Sequence, residues 1–268
     1  FRTMCMGLNL PKVLELTLNE GRCLVTGDTV WDDAPAAFDS YEALLSAYRD
    51  RVTQIVDLGV EIIREDERIE PGIFPRPWLT VLSRGGIDSG VDLTAGQPQY
   101  DPVGVTLDGL ADIANSLYAV KCLVYDEARI SLGELRQILA ADWEGHEALR
   151  QHVLNRLPRF GQDDPAVNAI VREEAAHFAA AFEPHRTYYG GRFWPMIFGV
   201  ATSLLYGKGP KTGATPSGRK RDATLAMSLQ PSPAGPQGCM TAVLCAAASL
   251  DGLDFPGGIS NVQECDPS

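Results

Sequence analysis

Apolar positions along this chain fall mainly at helical spacing. Asn9 can cap a short helix with Pro11 in its first turn; Leu14 and Leu18 continue one face, and Gly21 stops it. Asp39 and Glu42 form a capping-box pair ahead of a long helix, with apolar positions at Leu44, Leu45, Tyr48, Val52, Ile55, Val56, Ile62 and Ile63. The stretch Pro71 to Pro77 reads as a connector, followed by a helix near Trp78 to Leu82. Val91 to Leu107 is the best strand candidate, broken by Gly96 and Pro98. Helices follow at about Leu110 to Val124, after the Ser131/Glu134 capping box, over roughly Glu144 to Leu154, and after Asp164 with Pro165 at the first position. From Tyr188, glycines, prolines and aromatics dominate, with strand-like runs in Arg192 to Leu205 and one more helix at Thr241 to Ser249. Phe1 to Gly7 reads as an apolar loop. Helices with interspersed strands argue an α/β fold, and no repeat or low-complexity linker divides the chain, so one domain over residues 1–268 is expected.

Composition narrows the function classes. The 268 residues are 45% hydrophobic and 22% charged, ordinary for a globular chain. A net charge of -12 disfavours nucleic acid and anionic membranes as partners. The longest uncharged apolar stretch, Phe193 to Tyr206, is too short to span a bilayer, and no signal-peptide pattern opens the chain. The six cysteines show no C-x-x-C spacing and no histidine at zinc-ligand spacing, so no metal site and a reduced, cytoplasmic setting are expected.

The residues alone present no self-contained active site. Gly207-Lys208-Gly209-Pro210-Lys211-Thr212 looks like a phosphate loop, but Pro210 removes one of the amides such a loop needs, so a surface or packing loop is expected. The four histidines, His146, His152, His177 and His185, read as surface or packing residues. Asp163-Asp164 and Glu173-Glu174 read as helix-start and solvated-face charges. No G-x-S-x-G elbow is present, and no cysteine has a base in its local sequence.

Several unusual strings, taken in order, resemble one family. They are Asn9-Leu10-Pro11-Lys12-Val13-Leu14-Glu15-Leu16 with Asn19-Glu20-Gly21, Asp92 to Tyr100 against T-x-G-G-A-x-Y, and Asp112 to Lys121. Glu144 to Glu147 with Leu149-Arg150, Phe160 to Pro165, Gly190 to Phe193 and Lys211 to Lys220 continue the series. Together they resemble the glycyl radical enzymes of the pyruvate formate-lyase superfamily, and more closely its glycerol dehydratase-like branch. The resemblance implies part, about one half, of a ten-stranded α/β barrel made of two five-stranded halves. It also implies a cysteine loop that carries a thiyl radical and a glycine loop that stores the radical. No resident cofactor is implied; a separate S-adenosylmethionine 4Fe-4S activase installs the glycyl radical. A small-molecule substrate, the activating enzyme and, when full length, a homodimer are the implied partners.

The chain departs from the family pattern. The cysteine loop, G-C-V-E or similar, belongs upstream of Asn9; Cys5 stands too close and is followed by Met6-Gly7, so it is not the thiyl residue. The R-V-x-G-Y glycyl motif belongs downstream of Ser268, so the chain reads as an internal piece without catalytic residues of its own. Gln97 and Pro98 replace the G-A of T-x-G-G-A-x-Y, Gly209-Pro210 is an insertion, and Ser217 stands where the family usually has Asp. By the resemblance, specificity lies in Phe1 to Met6 and Thr94 to Tyr100. Met4 and Met6 would face an apolar part of a substrate, and Gln99 or Tyr100 would hydrogen-bond it; barrel packing is the competing role for each. Three readings follow: a glycyl radical lyase of anaerobic metabolism cleaving a C–O, C–C, C–N or C–S bond, an acyltransferase of the formate acetyltransferase type, or an inactive remnant or scaffold. Alone, the piece should be poorly soluble, with a strand edge and an apolar inner face unpaired.

Overall fold

Among the described residues, four strands form one parallel sheet in the order β1-β2-β3-β4: β1 (Arg2–Asn9), β2 (Val103–Asp108), β3 (Phe193–Ile197) and β4 (Gly257–Gly258). The structure is a computed structural model and describes residues 2–199, 207–236, 238–250, 252, 255, 257 and 258. The helices are α1 (Leu10–Leu18), α2 (Tyr41–Ile73), α3 (Pro77–Leu82), α4 (Gly86–Ser89), α5 (Leu110–Val120), α6 (Leu132–Ala140), α7 (Glu147–Arg156), α8 (Pro165–Phe182) and α9 (Met240–Ala248).

The region expected to be an apolar loop is a strand. Met4, Met6 and Leu8 alternate with Cys5, Gly7 and Asn9, which is the two-residue period of β structure, and Gly7, Leu8 and Asn9 pair with Thr106, Leu107 and Asp108. The strand expected over Val91 to Leu107 is confined to its second part. Leu93–Ala95 instead form a single 3-10 turn, capped by the Asp92 carboxylate on the Thr94 amide and left through Gly96 at φ 76°. Phe193–Ile197 within the predicted Arg192 to Leu205 run is β3, and residues 200–206 lie outside the described residues.

Helix starts follow local chemistry closely. The Asn9 side chain accepts from the Lys12 amide with Pro11 in the first turn, and Gly21 leaves the α1 region at φ 77°. The Ser131/Glu134 capping box opens α6, and Asp164 accepts from the Ala166 and Val167 amides at the start of α8. Ser40, not Asp39, caps α2; its hydroxyl accepts from the Ala43 amide at 3.1 Å, the three-residue offset that an N-cap requires. α2 also runs through Pro71 to Ile73, so the expected connector begins later than Pro71. Proline removes one amide donor near the end of the helix, and the Phe74 amide still closes on the Glu70 carbonyl.

The core lies between the sheet and its helices. Val103, Val105 and Leu107 of β2 and Phe193 and Ile197 of β3 pack with Leu10, Leu14 and Leu18 of α1, Leu44 to Ile63 of α2, and the buried faces of α5 and α8. α5 carries one more surprise. Its predicted extension to Val124 is present, but Lys121–Asp126 is wound as π-helix.

Candidate active-site face

The two faces of the sheet differ in chemistry. Met6, Leu8 and the odd-numbered β2 valines and leucine face the helices. Met6 lies against α2, where a Cβ on Gly59 would collide with the Met6 thioether. Gly7 marks the opposite face: a Cβ there would meet Thr106 Oγ1, Asp108 Oδ2 and Lys208 Nζ. Paired residues in a parallel sheet share a face, so Gly104 and Thr106 carry this face on to Trp194 and Met196 of β3. This face is small and polar in β1 and β2 and broad and apolar in β3.

At the C-terminal ends of the strands, this face ends in a polar cluster. Asp108 forms an ion pair with Lys208. Burial pushes the Asp108 carboxyl above the ordinary carboxylate range, against the pull of the Lys208 ammonium. Asn9 Nδ2 donates to Thr212 Oγ1 at 2.9 Å, and that hydroxyl donates to the Lys208 carbonyl at 2.7 Å. Lys208 is paired with Asp108 and Thr212 with backbone and Asn9, the arrangement of a packing loop, while Lys211 is exposed.

The glycine-rich loop that follows is wired from within. Arg219 is fully buried, and its guanidinium donates to the carbonyls of Gly209 (2.8 Å), Gly213 (2.9 Å), Thr212 (3.3 Å) and Ala223. Glu15 of α1 accepts from the Gly213 amide at 2.7 Å, the Leu24 amide at 2.8 Å and Lys12 Nζ at 2.5 Å. Asp112 of α5, also fully buried, accepts from the Ala226 amide and the Ser232 hydroxyl, each at 2.5 Å. Burial raises the Asp112 carboxyl, while these hydrogen bonds and the Arg219 and Arg159 charges lower it. Arg159 donates to the Ser217 carbonyl at 2.9 Å, and Trp143 Nε1 to the Thr215 carbonyl at 3.2 Å. Arg219, Glu15, Asp112, Arg159 and Trp143 each hold backbone of this region; the network is a scaffold for the loop.

The opposite end of the sheet holds the other expected site residues. Gln99 and Tyr100 lie in the loop entering β2, both exposed, with Tyr100 at 77%. Gly96 packs on the Tyr189 ring, and Gln97 Nε2 donates to the Arg84 carbonyl at 3.0 Å. The Val103 amide donates to the Arg192 carbonyl at 3.0 Å, tying this loop to the Thr187–Arg192 turn. The backbone of Met4 belongs to β1. Met6 and the Gln99–Tyr100 pair thus occupy different parts of the sheet, one on its helix side and the other at its entry.

Other charged candidates are structural. His177 Nε2 meets the Arg49 carbonyl at 3.1 Å, and His185 Nε2 meets Asp57 at 2.9 Å. The Glu173-Glu174 pair is only half solvated. Glu174 is buried and grips Arg49 at 2.6 Å, whereas Glu173 is exposed and completes the clamp at 3.0 Å. Sequence reasoning overlooked Asn9, Asp108 and Lys208 as a cluster, because they are far apart in the chain. The legible signal was a charged residue at the end of an apolar run, Val105-Thr106-Leu107-Asp108, and again at Asp112 inside Leu110 to Ala114. Among the described residues, no group of three or more His, Cys, Asp or Glu side chains could hold a metal ion, and no helix is long and apolar enough to cross a membrane.

The profile of the family described as Pyruvate formate lyase-like matches residues 1–207. Trans-4-hydroxy-L-proline dehydratase from Clostridioides difficile is 27% identical over 256 residues, 95% of this chain and 32% of that protein. (2S)-3-sulfopropanediol dehydratase from Klebsiella oxytoca is 26% identical over 227 residues, 84% of this chain and 27% of that protein. The crystal structure of the C. difficile hydroxyproline dehydratase with trans-4-hydroxy-L-proline bound superimposes with a TM-score of 0.87 at 28% identity, over 94% of this chain and 32% of that one. This chain therefore spans about a third of the length of these relatives.

Proposed function

The chain belongs to the pyruvate formate lyase-like family, and from that premise we propose that the protein carrying it is a glycyl radical lyase acting on a small hydroxylated substrate. Its fold is part of the α/β barrel of the glycyl radical enzymes. The observation that carries the proposal is the superposition, at a TM-score of 0.87 over 94% of the chain, on a dehydratase with its substrate bound.

On this reading the Gly7 face is one wall of the reaction chamber. A thiyl radical on a cysteine outside this chain removes a hydrogen atom from the substrate, and the resulting carbon radical expels the leaving group. Such chemistry needs a chamber closed to water. Gly7 lets Asp108 and Lys208 close over β1, so this part of the wall is small and polar. Trp194 and Met196 supply apolar surface, and Gln99 and Tyr100 supply hydrogen bonds at the strand entry, with Met4 preceding the wall on β1. Met6 supports this wall from behind through α2. The radical is installed by an S-adenosylmethionine activase. The second subunit of a homodimer and the single-domain assignment of residues 1–268 are part of the same proposal.

Two measurements test it. The full-length protein, treated anaerobically with an activase and S-adenosylmethionine, should show a glycyl radical signal by electron paramagnetic resonance. It should then dehydrate at least one small diol or hydroxylated amino acid. Absence of both the radical and substrate cleavage would refute the lyase reading. A Cys-Cys pair in the cysteine loop with acyl transfer would replace it with the acyltransferase.

A further inference from the structure

At the Glu15 edge of the scaffold, and apart from the proposed chamber wall, three reactive side chains meet. Lys12 Nζ lies 3.0 Å from Cys23 Sγ and 2.5 Å from Glu15 Oε1. The Thr26 amide donates to the same sulfur at 3.4 Å. Cys23 is 6% exposed and the Lys12 side chain 21% exposed, so the pair is shielded from bulk water but open to a small molecule.

We propose that Lys12 and Cys23 are a modification site, at which dioxygen closes a covalent N–O–S bridge between the lysine nitrogen and the cysteine sulfur. The juxtaposition of amine, thiol and carboxylate carries this inference, not the cysteine alone. The amine and the thiol are already in contact, and Glu15 is placed to take the ammonium proton that must leave before nitrogen can form a new bond. The hydrogen bonds from Lys12 and Thr26 outweigh burial and bring the thiol down to about 7, so a good share is thiolate at neutral pH. Cys122 is the internal contrast: there burial pushes the thiol up.

The reaction balances. One S–H and one N–H bond break; one S–O and one O–N bond form. Sulfur and nitrogen each give up two electrons. Dioxygen accepts all four, one oxygen atom remaining in the bridge and the other leaving as water with both hydrogens. The product ties the first turn of α1 to the loop that follows it. It also removes the cation from Glu15, which anchors the Gly213 and Leu24 amides. Oxidation at this pair is thereby connected to the loop around Arg219.

The test uses full-length, unactivated protein purified under argon, then divided and exposed to air or kept anaerobic. Tryptic peptides are read by tandem mass spectrometry. The expected result is a joined pair of peptides, linked through Lys12 and Cys23, heavier than their sum by one oxygen and lighter by two hydrogens. It should appear only after air and be lost in both Lys12→Arg and Cys23→Ser. Because the mass of the wild-type protein carries the answer, a variant that folds poorly does not blur it. Cys23 recovered as a thiol, a sulfinic acid or a mixed disulfide, with Lys12 unmodified after air, would overturn the proposal.

Discussion

At the C-terminal end of the sheet, charged side chains are buried and held; along α3 and α4, large apolar side chains stand in water. Arg219 and Asp112 are each 0% exposed, while Trp78 and Leu82 are each 82% exposed. The first region joins residues far apart in sequence, Glu15 to Gly213 and Asp112 to Ser232, and satisfies most of its polar atoms internally. The second leaves Phe74, Trp78, Leu82 and Ile87 exposed around one stretch of chain, a patch of the kind that marks a contact surface in a larger assembly. The contrast shows that part of this chain is structurally self-sufficient and part is not, in keeping with a chain that spans about a third of its relatives.

Four changes would break or sharpen that contrast. The largest effect is expected for Arg219→Ala, which takes the guanidinium away from four carbonyls and removes one of the two cations acting on Asp112. A loss of roughly 3–5 kcal/mol follows from breaking a buried charged network, read as a collapse in soluble yield of the full-length protein or a large fall in its unfolding temperature. A wild-type melting curve would show that the network is not supporting the loop.

Next is Gly109→Val, at the turn from β2 into α5. The residue sits at φ 76°, and a Cβ would strike the Pro11 ring. Strain and overpacking together should cost about 2–3 kcal/mol, measured by chemical denaturation.

A smaller, pH-dependent effect concerns Cys23. The folded chain releases this proton near 7, whereas a thiol at the ordinary value of 9.0 still holds it. Between those values the folded state binds fewer protons than the unfolded state, so stability rises as pH increases from 7 to 9. Unfolding curves across that window should show the rise in wild-type protein and lose it in Cys23→Ser.

The smallest effect belongs to the exposed flank. Trp78→Lys with Leu82→Lys should change folding stability by less than about 0.5 kcal/mol each, yet increase the soluble yield of the isolated chain. A marked loss of stability would mean that these side chains are packed and that the flank is not an open surface.

Local signals were read well where one residue decides the outcome. Asn9, Ser131 and Asp164 each place an oxygen on amides two or three residues ahead, so their helices begin where the sequence suggests. β1 was missed although its alternation is that of a strand, because the partner that makes it one begins about a hundred residues away, at Val103. The Val91 to Leu107 region was overextended for the converse reason. Its apolar content is strand-like, but Asp92 caps a turn and Gly96 leaves it through a left-handed conformation. Of the site, the motif strings were legible, and their meeting points were not.

By itself, the sequence determined several helix starts and the family, because caps and ordered motifs act over a few residues. Only the tertiary structure decided that Asp108 meets Lys208, that Met6 turns to α2 while Gly7 faces the other way, and that Lys12 touches Cys23. Those contacts depend on strand register and on loops folding back across the sheet, and a one-residue change of register would send every side chain of β1 to the opposite face.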